Sequence, residues 1–349
     1  MDVPVNGTHA CSENGDHVSY NLPKGKWQTT FGYRHFRSFR HFVGSVEQNA
    51  ENTAEGKAER DRASSNVINH VHQPSFGVAY GVTGRFSVSA DLPYFQALRR
   101  SPVRGSRPSF ATAASGISDL TLTGRYWLAD PAKHNRQNLS LGLGFKLPTG
   151  NDRAEDDFLV GIEDGVRITE RRPVDQSIQP GDGGFGIVAE LQAFKGFGRF
   201  VAFASGSYLS NPRETNDFNR NGPNDDVDDS GALNHLLSIA DQYAARVGVA
   251  TAVKSVGVSL ALRIEGLPSS DLIGGDRGRR RPGYTLGLDP GVSYSWKGNS
   301  VSLNVPIAIR RVRVQNFADK LESEEAGHFE NGDAAFADYA IILGFARRF

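Results

Sequence analysis

This 349-residue chain has almost no cysteine, no long apolar run and no excess of either charge. Cys11 is the only cysteine, so no disulfide can form within the chain. No run of about 18 apolar residues occurs, which excludes a membrane-spanning helix. The 39 basic and 39 acidic residues balance, so overall charge offers no argument for nucleic-acid binding.

Catalytic signatures are also missing. Neither the His-Glu-x-x-His pattern of zinc proteases nor the Gly-x-Ser-x-Gly nucleophile elbow occurs. None of the nine histidines is predicted to lie beside a serine in mid-strand on an apolar face, as a Ser–His lipase site would require. His70 and His72 alternate in one predicted strand, but two histidines alone are weak evidence for a metal site. We therefore expect that the protein is not an enzyme.

The segment 338–349 is the most informative part of the chain. It predicts a β-strand, because apolar side chains recur at every second position up to the last residue. The apolar face is formed by Tyr339, Ile341, Leu343, Phe345 and Phe349. Soluble domains usually fray at their ends, whereas a β-barrel needs a complete closing strand to pair with its first. The segment resembles the C-terminal assembly signal of bacterial outer-membrane proteins.

The same period of two recurs along the chain. Apolar residues alternate with small or polar ones in the segments 139–147, 258–265, 284–296 and 301–310. The connections alternate between short and long. The short ones are 81–85, 129–137, 196–199, 254–257 and 297–299. The long ones are 38–69, 100–118, 148–184, 211–241, 266–282 and 311–337.

This rhythm predicts an all-β fold: a transmembrane antiparallel β-barrel of about 12 strands with short periplasmic turns and long extracellular loops. The alternative is a soluble β-sandwich, which usually has shorter strands and no alternation of loop lengths. We expect residues 25–349 to form the barrel and residues 1–24 to form a periplasmic segment that is flexible or plugs it. A barrel requires export, and residues 1–24 lack the pattern of a secretory signal, so we expect a signal that was removed or that lies upstream.

Alternation also predicts which charged residues face the lumen, because an Arg or Lys facing lipid at mid-depth costs about 2–4 kcal/mol. Two interpretations remain open: a water-filled path with a mixed-charge constriction, or a closed ladder of ion pairs. Phe95, Trp127 and Phe203 are the candidate inward aromatics. The predicted lumen or constriction residues are Arg34, Asp91, Arg125, Lys146, Glu190, Arg246, Arg263, Glu265, Asp289, Arg310 and Asp338.

One long loop carries the pattern of a calcium site. Oxygen-bearing residues at alternate positions precede Gly222, as in the first half of an EF-hand loop. The last position is Asp instead of the usual Glu, and flanking helices are not evident, so the alternative is a solvated acidic loop. No cofactor other than calcium is expected. The candidate calcium ligands are Asp217, Asn219, Asn221, Asp225 and Asp228.

Two short segments add a family resemblance. One is Gly-Phe-Lys-Leu-Pro-Thr-Gly-Asn at 144–151, and the other is Val-Asp-Gln-Ser-Ile-Gln-Pro-Gly-Asp-Gly-Gly at 174–184. With Val305-Pro306, they resemble the bacterial outer-membrane barrel family known as meta-pathway phenol-degradation proteins. The resemblance implies a barrel that moves aromatic or other hydrophobic small molecules, and it transfers no binding residue.

We therefore expect a porin-like channel of the bacterial outer membrane for passive uptake of small molecules. The alternative is a closed structural barrel whose extracellular loops bind a partner protein or surface ligand. The expected partners are outer-membrane lipid, lipopolysaccharide, a small-molecule substrate and, through the last strand, the barrel-assembly machinery. The basic run Arg277, Arg279, Arg280 and Arg281 is expected to meet lipopolysaccharide phosphates, to pair with the acidic loop or to be solvated.

Overall fold

The structure is a computed structural model that describes residues 22–48, 67–102, 108–220 and 233–349. In chain order its strands are β1 (Trp27–Val43), β2 (Val46–Glu47), β3 (Ile68–Gly81), β4 (Phe86–Ser101), β5 (Phe110–Ile117), β6 (Leu120–Trp127), β7 (Gln137–Leu147), β8 (Glu155–Glu163), β9 (Val166–Pro173), β10 (Gly186–Phe197), β11 (Phe200–Ser210), β12 (Thr215–Asn219), β13 (Leu233–Ser238), β14 (Gln242–Val253), β15 (Val256–Leu267), β16 (Gly278–Arg279), β17 (Gly283–Trp296), β18 (Asn299–Asn304), β19 (Ile307–Arg313) and β20 (Ala334–Arg348).

Twelve antiparallel strands form a closed barrel, as predicted. The order around the wall is β1, β3, β4, β5 with β6, β7, β10, β11, β14, β15, β17, β18 with β19, and β20. Two wall strands are interrupted: β5 and β6 are separated by residues 118–119, and β18 and β19 by Val305 and Pro306. Pro306 has no N–H to donate to a neighbouring strand, which accounts for the second break.

Closure depends on the last strand. β20 pairs with β1 from Gln28 opposite Arg348 to Phe42 opposite Ala334, with Phe31 opposite Phe345 in the middle. The prediction of a closing strand is therefore confirmed. This pairing joins the two terminal strands of the sheet, whose edges would otherwise expose unpaired N–H and C=O groups.

A belt of exposed apolar side chains surrounds the wall. Leu143 is 61% exposed, Val247 is 58% exposed and Leu260 is 51% exposed, although each is a mid-strand residue. A water-soluble protein rarely leaves such a continuous apolar surface uncovered. Exposed aromatic side chains lie at one end of the belt, next to the short turns, as amphipathic aromatics do at a membrane interface. They include Trp27, Tyr126, Phe197, Phe200, Tyr294 and Trp296.

The inner surface carries many small residues, which leave room for charged side chains. Gly77 on β3 is one case, since a Cβ there would lie 2.4 Å from the Asp91 carboxylate. Gly142 on β7 similarly faces the Glu190 side chain, at 2.9 Å from a built Cβ. The alternation of apolar and small residues in the sequence thus becomes an apolar outer side and a charge-bearing inner side of the wall.

The long connections all lie at one end of the barrel, which we call the loop end, and the short turns lie at the other, the short-turn end. β8 and β9 form a hairpin, and β12, β13 and β16 form a small sheet. Helix α1 (Phe317–Ala326) begins with a capping box in which Asn316 and Asp319 exchange side-chain to backbone hydrogen bonds. Within the described residues, no helix is long and apolar enough to cross a membrane. The sequence patterns did not predict any of these loop elements.

Several predicted boundaries shift, and β5 lies wholly within the predicted loop 100–118. β1 continues to Val43 and β4 to Ser101, so the wall extends past Ser38 and Arg100, where the loops were expected to begin. Of the predicted N-terminal segment 1–24, only 22–24 are described. Leu22 is buried, and the carbonyl groups of Leu22 and Pro23 lie against Gly81 at the short-turn end. The prediction that this segment plugs the barrel concerns residues 1–21, which lie outside the described ranges.

Candidate functional site

A group of charged side chains crosses the barrel interior at mid-height. Arg34 on β1 donates two hydrogen bonds to Glu265 on β15, with N–O distances of 2.6 and 3.4 Å. Arg263 donates from Nε to the same carboxylate at 3.0 Å. The group continues to Asp289 on β17, which forms an ion pair with Arg246 on β14 at 2.7 Å and lies 3.7 Å from Arg263. We call these five residues the floor cluster.

The floor cluster is largely shielded from solvent. The Asp289 side chain is 0% exposed and that of Arg246 is 2% exposed. Asn304 donates from Nδ2 to Asp289 at 3.2 Å, and the Arg246 guanidinium lies 5.5 Å from the ring centre of Phe203. Buried charges are tolerated only when they are paired. The fold brings these five predicted lumen residues together into one paired network.

Three other predicted lumen residues also form ion pairs. Arg125 on β6 donates to Glu190 on β10. Lys146 on β7 binds both oxygens of Asp182 and lies 3.7 Å from Asp119. Sequence reasoning did not single out Asp119 or Asp182, because both lie at strand breaks or in loops where the period of two gives no signal.

Arg310 contradicts its predicted position. A register shift between β17 and β19 places Ala308 opposite Gly287 but Arg310 opposite Leu286, which belongs to the outward-facing apolar residues of β17. The Arg310 side chain is exposed, and Arg311 is the buried arginine at this level. A β-bulge adds one residue to a strand and reverses the facing of the residues beyond it, which simple alternation does not anticipate.

Asp338 and Asp91 occupy other parts of the wall. Asp338 accepts hydrogen bonds from Arg40 at 2.8 Å and from Arg311 at 2.5 Å. It lies beside the register shifts that interrupt the pairing of β20 with β1. It therefore belongs to a network near the loop end and is not part of the floor cluster. Asp91 lies over Gly77 on the neighbouring strand.

A cavity of about 950 Å³ lies between the floor cluster and the loops. Arg34, Arg263 and Glu265 line its lower side. The walls near the loop end carry further arginines, with few acidic residues beside them, and several apolar side chains. These lining residues include Arg99, Arg172, Asp175, Arg220, Arg279, Arg281, Phe36, Phe110 and Phe158.

Apolar packing holds the loop that forms one wall of this cavity. Val174 and Ile178 are fully buried and pack with Val71, Phe95 and Ala97 on the barrel strands. The loop is thereby anchored inside the barrel mouth. Phe95, Trp127 and Phe203 are 6%, 1% and 3% exposed, so all three candidate inward aromatics are buried.

The basic run predicted in the loop 266–282 has four different environments. Arg280 forms a fully buried bidentate pair with Asp271, at 2.6 and 2.7 Å. Arg277 is exposed and pairs with Glu214, while Arg281 pairs with Asp175. Arg279 lines the cavity. Contact with lipopolysaccharide stays a prediction.

The proposed calcium loop is only partly described. The Asp217 carboxylate accepts hydrogen bonds from Arg213 at 2.7 Å and Thr215 at 3.1 Å, and Asn219 belongs to β12. Asn221, Asp225 and Asp228 lie outside the described residues. Over the described ranges, no three His, Cys, Asp or Glu residues gather in a metal-binding arrangement. Calcium binding stays a prediction.

No model of a known protein family matches this chain, and no curated protein matches its sequence. The fold is similar to that of an outer-membrane channel of Pseudomonas putida F1, with a TM-score of 0.54 and 15% identity over 96% of this chain and 99% of that chain. At this identity the similarity shows the fold alone. The resemblance to meta-pathway phenol-degradation proteins stays a prediction.

Weaker similarities include the translocator domain of autotransporter NalP from Neisseria meningitidis, with a TM-score of 0.48 and 11% identity over 95% of this chain and 91% of that chain. The Ralstonia pickettii toluene transporter TbuX has a TM-score of 0.45 and 10% identity over 98% of this chain and 96% of that chain. At these TM-scores neither carries an argument about this protein.

Proposed function

We propose that this protein is a channel of the bacterial outer membrane through which small molecules enter passively. The exposed apolar belt supports a membrane location, and the pairing of β20 with β1 closes the wall. The observation that carries the proposal is the cavity of about 950 Å³ above a floor of charged side chains. An interior filled with apolar side chains would have offered a solute neither space nor a polar path.

Polar groups continue along the inner wall at the level of the floor cluster and below it. Ser205 and Ser207 lie on inward-facing positions of β11, opposite Arg246 and Ala244 of β14 and therefore level with the floor cluster. Ser140 lies on β7 closer to the short-turn end. Their hydroxyl groups are buried, and none has a hydrogen-bond partner among the described residues. Buried hydroxyls are normally satisfied by a protein group or by water. These positions therefore support hydration of the interior around the floor cluster and, at Ser140, toward the short-turn end.

The floor cluster then acts as the constriction. Arginine and glutamate side chains have several rotatable bonds, so a change of rotamer opens a path without moving the barrel wall. Positive and negative charges alternate within the cluster, which favours weak selectivity between cations and anions in the native protein.

Planar lipid bilayers provide the test. We expect purified protein to give discrete conductance steps, and reconstituted vesicles to swell in small uncharged solutes. A preparation that is folded by circular dichroism but gives neither steps nor solute entry contradicts the proposal. A matched preparation that was heat-denatured before reconstitution controls for leaks.

The second candidate is a closed barrel whose loops bind a partner, and complete burial of Asp289 favours it. A closed barrel gives no conductance even when the charges of the floor cluster are removed.

Aromatic or hydrophobic substrates remain part of the channel proposal, supported by the aromatic side chains that line the cavity. Lipopolysaccharide and the barrel-assembly machinery remain proposed partners.

A further inference from the structure

The cavity at the loop end has more positive than negative charge. Among the described residues that line it are seven arginines and four acidic residues. Each acid already has a basic partner. Glu265 binds Arg34, and Asp182 binds Lys146. Asp333 contacts His41.

The fourth acid, Asp175, is shared by two arginines. Arg281 holds it in a bidentate pair at 2.9 and 3.0 Å, and Arg99 lies 3.3 Å away. Ser177 adds two further hydrogen bonds, from its backbone N–H and its hydroxyl. The Asp175 carboxylate is therefore fully engaged, and its single negative charge faces two guanidinium groups.

Arg279 is the third guanidinium of this group. It lines the same cavity, and Arg281, Arg220 and Arg99 are close enough to act on its charge, as is the Asp175 carboxylate. No hydrogen bond or ion pair joins its side chain to any residue in the described part of the chain. Burial and the neighbouring arginines lower the pKa of Arg279 to about 9. The side chain is therefore charged at neutral pH, although its surroundings disfavour that charge.

An apolar surface shares the cavity with these arginines. Phe110 on β5 and Phe158 on β8 both line it, and their ring centres are 5.7 Å apart. A guanidinium group binds a carboxylate with two parallel hydrogen bonds, and aromatic rings favour an apolar body. Phe36 extends the apolar lining toward the floor cluster.

We propose that Arg279, together with Arg281 and Arg99, recognises the carboxylate of a small organic anion, and that Phe110 and Phe158 contact its apolar body. The ligand is negatively charged, since the three guanidinium groups share the single carboxylate of Asp175. The proposal deepens the channel function above, because it assigns the class of solute that collects at the loop end before passage.

Equilibrium binding to the full-length protein in detergent micelles tests the proposal, with benzoate as the probe. We expect saturable binding of benzoate that weakens as salt is raised, because the attraction is between charges. The uncharged analogue benzamide should bind on the order of tenfold more weakly, and acetate, which lacks the ring, should also bind more weakly. Equal binding of benzoate and inorganic phosphate overturns the organic part of the proposal.

Two arginine variants form a matched pair. Arg279→Gln should weaken benzoate binding on the order of tenfold. It breaks no described hydrogen bond, so the fold should be retained. Arg277→Gln removes an exposed arginine two positions away that pairs with Glu214 and does not line the cavity, so it should leave binding unchanged. Equal affinities for Arg279→Gln and the native protein overturn the site.

A third variant, Phe158→Ala, should weaken binding of benzoate but not of acetate.

Conductance measurements distinguish a failure of this proposal from a failure of the channel function. Benzoate binding without conductance supports the anion site and contradicts the channel function. Conductance without benzoate binding supports the channel function and contradicts the anion site.

Discussion

Arg34 and Glu265 form an ion pair across the barrel interior, although 231 positions separate them in the sequence. Arg34 lies on the first wall strand and Glu265 on the ninth, so the pair spans the lumen and does not join neighbouring strands. Their side chains are 13% and 25% exposed, which places them at the boundary between the loop-end cavity and the buried part of the floor cluster.

Replacing Glu265 should change the ion selectivity of the channel. Glu265→Gln keeps the size of the side chain but leaves Arg34 and Arg263 without their shared carboxylate. The constriction then has three arginines against one carboxylate instead of two, so its excess of positive charge grows and it should favour anions more strongly. The reversal potential in a KCl gradient measures this shift. Arg310→Gln, which alters an exposed and outward-facing arginine, should leave the potential unchanged, and a shift of equal size there would contradict the assignment.

Replacing Asp289 should destabilise the barrel. Asp289→Asn leaves Arg246 buried without a counter-charge, and breaking a buried ion pair from one side costs about 3–5 kcal/mol. The free energy of unfolding in urea, measured in detergent, should fall by about this amount. Asp217→Asn breaks an exposed pair with Arg213 and should cost about 0–1 kcal/mol. Similar losses in the two variants would show that the floor cluster is not desolvated.

Acid should weaken the loop that carries Asp175. Burial alone raises the pKa of Asp175, but Arg281 and Arg99 outweigh it and hold that pKa well below the usual value. A carboxyl group whose pKa is lowered by folding stabilises the protein above its unfolded pKa of about 3.9, and this contribution is lost as pH falls toward the folded pKa.

Unfolding measured from pH 7 to about 2.5 tests this dependence. Asp175→Asn should be less stable than the native protein at neutral pH and should lose less stability below pH 4 or so. Asp164→Asn, at the exposed turn between β8 and β9, should follow the native pH profile. An Asp175→Asn profile parallel to that of the native protein would contradict the linkage.

Single cysteines at the two ends of the barrel should differ in their access from outside the cell. With Cys11→Ser as background, Asp164→Cys lies in the hairpin at the loop end and Lys297→Cys lies in a short turn. A maleimide reagent that does not cross membranes should label Asp164→Cys on intact cells and Lys297→Cys only after lysis. The reverse labelling would invert the proposed orientation.

The sequence determined the number of wall strands, the end at which the long connections lie and the closing role of the last strand. These follow from local rules, because side chains in a strand point alternately to opposite faces and antiparallel neighbours need only short turns. The same rule assigned Arg34, Arg246, Arg263, Glu265 and Asp289 to the interior.

Only the tertiary structure decided which charges meet. The partners of Arg34 and Arg246 lie on strands that are not their neighbours in the wall. The distance between such strands across the lumen depends on how the barrel closes, and the residue pattern of a single strand does not encode it. The bulge that turns Arg310 outward and the loop that brings Asp175 to Arg281 and Arg99 are likewise set by packing. Alternation is a property of one strand, whereas the floor cluster and the arginines of the cavity are properties of the closed barrel.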